Sequence, residues 1–313
     1  MTTHTPEIIL IAGEADVWRG PVEELIAGRI DSLAIDPDSE LPESLDSHAV
    51  KVMVASPQDA KKFAPYFPNL AWIQSTWAGV DALTSHIPES VSITPLRGVF
   101  GQAMSEFVLG WILSLERNII ERARSTSWDA TPEIGVRGKI MGILGTGSIG
   151  SAIAEAVKPL GITCQGMNSS GLPTEGFTRC FKSNDPQFFE GLDYCVAVLP
   201  KTEATDHILS ASAFEAMSNE AIVINVGRGN AIDDAALLHA LDNNNLRAAV
   251  LDVFTTEPLP QDHRFWEHPR VHVTSHTAAP TAIDLVALAM ADNLERYLAG
   301  DALEGLFNEA KGY

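Results

Sequence analysis

The chain has 313 residues, 45% of them hydrophobic and 20% charged, a globular composition on a length that suits two cores rather than one. Its formal net charge of −20 disfavours nucleic acid and anionic membrane surfaces as partners, and no apolar run approaches the ~18 residues a membrane helix needs. Three cysteines, Cys164, Cys180 and Cys195, lack metal-ligand spacing, and their odd number argues against a disulfide framework.

No basic region precedes the strand-like Ile8-Ile9-Leu10-Ile11-Ala12-Gly13, so no signal peptide is expected and a reducing cytoplasm fits. Residues 7–13, 50–55, 70–76 and 91–96 are short β-branched or apolar runs. Between them lie turn-rich or helix-like segments, one of which places Pro21 at a helix-start position. Strands alternating with helices predict a parallel sheet with right-handed crossovers. From Gln102 the pattern becomes a long helix reaching towards 128. Its apolar residues Met104, Phe107, Val108, Trp111, Ile112, Leu115 and Ile119 recur at three- and four-residue steps.

A second α/β unit follows. Lys139 to Leu144 reads as a buried strand and Gly145-Thr146-Gly147-Ser148-Ile149-Gly150 opens an alanine-rich helix. In that context the glycines have distinct duties: Gly145 permits a tight turn, Gly147 a close backbone approach to a pyrophosphate, and Gly150 close packing of helix on strand. With the N–H groups of the helix N-terminus they make a dinucleotide site. The next strand ends in Gly166-Met167-Asn168-Ser169-Ser170-Gly171, where a site selective for NAD would carry an acidic residue against the ribose 2′-hydroxyl. None is there, and no arginine either. Asn168, Ser169 and Ser170 could donate hydrogen bonds to a 2′-phosphate, which favours NADP over NAD.

Further strands are expected at 162–167, 194–199, 221–226, 248–254 and 271–274, and a final helix from Asp284 to Leu298 with Gly300 as its stop. Three segments at strand ends hold chemistry: Asn225-Val226-Gly227-Arg228-Gly229, Leu251-Asp252-Val253-Phe254 with Glu257-Pro258, and Thr274-Ser275-His276-Thr277. Open parallel sheets bind ligands at the carboxyl ends of their strands.

With Ala78-Gly79-Val80-Asp81, Arg97-Gly98-Val99-Phe100-Gly101, Ser105-Glu106-Phe107 and Leu199-Pro200, these motifs make the chain resemble the D-isomer-specific 2-hydroxyacid dehydrogenases. Within them it is most similar to the glyoxylate/hydroxypyruvate reductase branch. The resemblance covers nearly the whole chain. It implies two doubly wound parallel-sheet α/β domains: a Rossmann cofactor domain, residues 99–284, inserted into a flavodoxin-like substrate domain, residues 1–98 plus 285–313. It also implies a homodimer to which the 102–128 helix contributes.

By that resemblance His276 is the acid that protonates a keto-acid carbonyl and Glu257 is its partner, since a carboxylate beside an imidazole favours the protonated ring. Arg228 orients the substrate carboxylate and carbonyl. The N–H groups of Ala78 and Gly79 hold the carboxylate, and Asp252 meets the nicotinamide carboxamide. Ser148, Ile149, Leu199, Pro200, Thr205, Val226, Gly227 and Arg228 match cofactor-contacting positions. Arg97 could pair with the substrate and Trp77 could border it. One departure is Ser275, where the family commonly has proline and hence a stiffer backbone ahead of the histidine. A non-enzymatic dinucleotide-sensing corepressor is the alternative from another class, and 3-phosphoglycerate, phosphite and formate dehydrogenases are alternatives on the same scaffold.

Overall fold

A computed structural model describes residues 7–13, 15–80, 83, 86–133 and 135–308; Asp81 of the first motif lies outside them. The chain divides into two compact units, Met1–Val99 with Thr281–Tyr313, and Phe100–Pro280.

In the first unit β1 (Ile8–Ala12) leads to α1 (Ala15–Ile26), β2 (Asp31–Ile35), β3 (Val50–Ala55), α2 (Pro57–Phe63), β4 (Trp72–Ser75) and β5 (Ser92–Thr94). The strands are parallel in the order β2-β1-β3-β4-β5, a flavodoxin-like sheet. Ser56 caps α2 by accepting the Asp59 N–H at 3.2 Å, with Pro57 at the first helical position. Pro21 does not open α1, as the sequence suggested, but lies inside it. The apolar face of Val22 and Ile26 is buried on both sides of that interruption, together with Trp18, so packing outweighs the missing N–H.

The second unit opens with α3 (Gly101–Glu116) and α4 (Ile119–Arg124). The single helix expected from 102 to 128 is therefore broken. Asn118 adopts a left-handed conformation, φ 47°, which asparagine tolerates better than most residues. Then come β6 (Ile140–Leu144), α5 (Ser148–Val157), β7 (Thr163–Asn168), β8 (Arg179–Lys182), β9 (Tyr194–Ala197), α6 (Ala211–Ala216), β10 (Ile222–Asn225), α7 (Asp234–Asp242), β11 (Ala248–Leu251) and β12 (Val271–Val273). The seven strands are parallel in the order β12-β11-β10-β9-β6-β7-β8, and the order reverses between β6 and β9, the Rossmann arrangement. Side chains alternate between two cores: Met141 and Ile143 of β6 enter one with Tyr194 and Val196 of β9, while Leu144, Cys195 and Ala197 enter the other.

The chain then returns to the first unit as α8 (Ile283–Ala299), ended by Gly300 at φ 76°. The guanidinium of Arg29 meets both oxygens of Glu295 at 2.8 Å, the Trp72 and Tyr297 rings lie 5.6 Å apart, and Phe307 donates its N–H to Ile93 at 2.8 Å.

Candidate active site

The glycine turn between β6 and α5 has the form its residues require. Gly145 sits at φ +101°, and a β-carbon at Gly150 would lie 2.0 Å from the Gly145 carbonyl oxygen. A β-carbon at Gly147 would meet nothing within 4 Å, so the backbone there fronts open space. Gly147 caps α5 without any side-chain bond, leaving the first-turn N–H groups of Ser148, Ile149 and Gly150 aimed outward. This uncapped cradle, free of side chains, fits a dinucleotide pyrophosphate.

At the end of β7 the Asn168 amide is fully engaged within its own loop. Its Nδ2 donates to Thr146 Oγ1 at 3.1 Å, Leu172 O at 3.0 Å and Thr174 Oγ1 at 3.4 Å. Its Oδ1 accepts from Ser170 N, Ser170 Oγ and Gly171 N at 3.2, 3.0 and 2.7 Å. Asn168 thus shapes the loop that follows β7. Ser169 is exposed and makes no hydrogen bond of its own among the described residues. After β9, Thr205 ties the Leu199–Pro200 turn by donating to Pro200 O at 2.8 Å while accepting from Thr202 N at 3.0 Å.

Arg228 follows β10 between two glycines that bring the backbone against neighbouring turns. A β-carbon at Gly227 would lie 2.6 Å from Leu199 N, and one at Gly229 would lie 1.9 Å from Phe254 C. The buried Asn225 side chain closes this turn, accepting from Gly227 N at 3.2 Å and donating to Arg228 O at 3.0 Å. Arg228 is half-buried, with Nη1 donating to Gly227 O at 2.8 Å.

Glu257, beyond β11, bridges two groups: Oε1 accepts from Phe254 N at 2.8 Å and Oε2 lies 2.8 Å from His276 Nδ1. His276, beyond β12, has φ 55°, an uncommon backbone conformation for a non-glycine residue. Asp252 holds it there. That side chain is 1% exposed and accepts from Thr274 Oγ1 at 2.6 Å, Thr277 N at 2.9 Å and Ala278 N at 3.0 Å, while its carbonyl accepts from His276 N at 2.8 Å. Four hydrogen bonds from one residue restrain a loop that has Ser275 rather than proline. Because β10, β11 and β12 are neighbours, Arg228, Glu257 and His276 emerge at the carboxyl ends of adjacent strands. No group of three or more potential metal ligands occurs among the described residues.

In the first unit the turn after β4 is fixed locally. Ser75 Oγ accepts from Trp77 N and donates to Trp77 O, both at 3.0 Å, and Leu96 N donates to Trp77 O at 2.9 Å. Ala78 is exposed and Gly79 half-buried, and neither N–H has a partner among the described residues. Arg97 and Trp77 are exposed in the same unit.

The family model described as "D-isomer specific 2-hydroxyacid dehydrogenase, NAD binding domain" matches residues 109–278. A glyoxylate/hydroxypyruvate reductase A from Serratia proteamaculans is 31% identical over 249 residues, 75% of this chain and 79% of that protein. A D-isomer specific 2-hydroxyacid dehydrogenase family protein from Aeromonas salmonicida superposes with a TM-score of 0.90 at 34% identity, covering 97% of this chain and 99% of its own. A second family member, from Xanthobacter autotrophicus in complex with NADPH and MES, gives 0.89 at 28% identity over 99% and 100%. Fold, cradle and matches together define an NAD(P)-dependent oxidoreductase acting on CH–OH donors. The chain belongs to the D-isomer specific 2-hydroxyacid dehydrogenases, in their glyoxylate/hydroxypyruvate reductase A-like branch.

Proposed function

We propose that the protein reduces small 2-keto acids of the glyoxylate or hydroxypyruvate type, with NADPH preferred to NADH. The observation that carries this reading is the Glu257–His276 pair, 2.8 Å apart, beside the turn that presents Arg228. With Nδ1 held by the carboxylate, the proton that His276 gives up is the one on Nε2. It goes to the carbonyl oxygen of the keto acid, leaving neutral imidazole and a hydroxyl. The nicotinamide, when bound, supplies the hydride that the carbonyl carbon receives. Arg228 pairs with the substrate carboxylate and stabilises charge building on the carbonyl oxygen. In a chain of net charge −20, this guanidinium supplies local positive potential that an anionic substrate requires.

The residues that hold the cofactor are Gly145 to Gly150, the Asn168–Ser170 loop, Leu199, Pro200, Thr205 and the Val226–Arg228 turn. Asp252 serves the nicotinamide end by fixing the loop that carries His276. A homodimer through the α3–α4 face is part of the same reading, supported by a hollow of about 300 Å³ lined by Phe107, Trp111 and Ile120 and by Trp128, which is 96% exposed. A cytoplasmic setting agrees with the free Cys164, Cys180 and Cys195. The deciding assay follows 340 nm absorbance with NADPH and NADH against glyoxylate, hydroxypyruvate, pyruvate and phenylpyruvate. Fastest turnover with the two smallest acids is expected. Silence across all four, with dinucleotide binding intact, would reject the reading.

A further inference from the structure

The NADP preference poses a problem that the ribose-side loop alone does not solve. A 2′-phosphate carries charge that hydroxyl donors answer poorly, and the loop ending β7 has no cation. Its asparagine is saturated by internal bonds, and Ser170 is tied to Asn168 and to Leu172 N.

The neighbouring strand supplies what is missing. In the register of β7 with β8, Met167 lies beside Phe181 and Asn168 beside Lys182, and Ser183 N donates to Asn168 O at 2.9 Å. Met167 and Phe181 are both buried in one core. Strand alternation therefore turns Asn168 and Lys182 to the opposite layer, where α5 packs and where Thr146 of the glycine turn receives the Asn168 amide. Gly171, at φ +71°, folds the loop back onto the lysine: a β-carbon there would lie 3.0 Å from Lys182 Cβ. Lys182 is exposed and forms no ion pair among the described residues, although acidic residues outnumber basic ones 41 to 21. The other nearby cations are placed elsewhere. Arg179 begins β8 and lies over the Phe181 ring, 4.0 Å from its centroid, and Lys201 follows β9, which β6 separates from β7.

We propose that Lys182 is the cation that reads the 2′-phosphate of NADP, with the Ser169 hydroxyl and N–H as its companions. This rests on the reading that NADP is the preferred cofactor. The test measures dissociation constants by calorimetry for adenosine 2′,5′-bisphosphate and for 5′-AMP, which differ by the phosphate alone. Wild type, Lys182→Ala and Lys182→Arg are compared. Wild type should prefer the bisphosphate. Lys182→Ala should weaken the bisphosphate about ten- to a hundredfold with 5′-AMP unchanged, and Lys182→Arg should retain most of the preference. If Lys182→Ala keeps the wild-type preference, the lysine assignment fails while the NADP reading stands. If it weakens both ligands equally, Lys182 supports the loop and does not read the phosphate, and the proposal is overturned. If wild type binds both ligands alike, the NADP reading fails and the proposal with it.

Discussion

Glu257 has two tasks that separate by oxygen: Oε1 is anchored to backbone at Phe254, and Oε2 orients the His276 ring. The imidazole is thus aimed by a carboxylate that is itself held. His276→Asn should lower kcat for keto-acid reduction by about two to four orders of magnitude, the usual range for a general acid, with NADPH affinity little changed. Comparable turnover in the variant would assign the proton to another donor. Asp252→Asn is expected to act differently. An amide nitrogen in place of one carboxylate oxygen would face the N–H or O–H donors of Thr274, Thr277 and Ala278, releasing the loop that carries the histidine. Its kcat should fall at unchanged pH optimum, and loop amide exchange should speed up; protection equal to wild type would refute the role. The sequence pointed to Arg228, Glu257 and His276 because each lies in a dense motif at a strand end. It did not expose the bond pattern of Asp252 or the saturation of Asn168, since both depend on which loop backbone atoms turn towards them.

At the scale of elements, the legible parts were those with apolar residues on both faces, such as β6, β9 and β10. The edge strands β2 and β8 escaped because an edge needs little apolar patterning: Arg179-Cys180-Phe181-Lys182 buries only Phe181. Near α3 a buried ionic cluster ties helix to sheet. Glu116, 8% exposed, accepts from Tyr194 Oη at 2.9 Å and pairs with Arg247 at 3.1 Å, while Arg247 also donates to Leu115 O at 2.6 Å. Arg247→Met should cost about 2–4 kcal/mol, by leaving Glu116 buried without its cation, and urea unfolding would report it as a lowered midpoint at constant slope. His272, on β12, packs 5.0 Å from the Trp111 ring, and burial pushes its pKa below the ordinary 6.5, opposed by Glu121. The unfolded chain therefore takes up this proton more readily than the folded one. The resulting stability is present above pH ~6.5 and is lost as pH falls through the depressed folded value. His272→Phe should flatten the decline in urea midpoint between pH 7 and 5.5; an unchanged decline would place the sensitivity elsewhere.

For the molecule as a whole, the dimer proposal rests on α4 and the segment after it, where Ile119, Ile120 and Trp128 are exposed. Sedimentation should give twice the chain mass, and Trp128→Ser with Ile120→Asp should shift it towards one. A monomeric wild type would remove the dimer from the proposal. The division into units also carries a consequence for how the protein comes into being. Phe100–Pro280 is one uninterrupted stretch, whereas the other unit is closed by α8 against α1 and by Phe307 against β5. On a ribosome that builds from the N-terminus, the cofactor-binding half has all its residues in hand first. The other half closes only later, because α1 lacks the helix that packs against it until α8 has emerged.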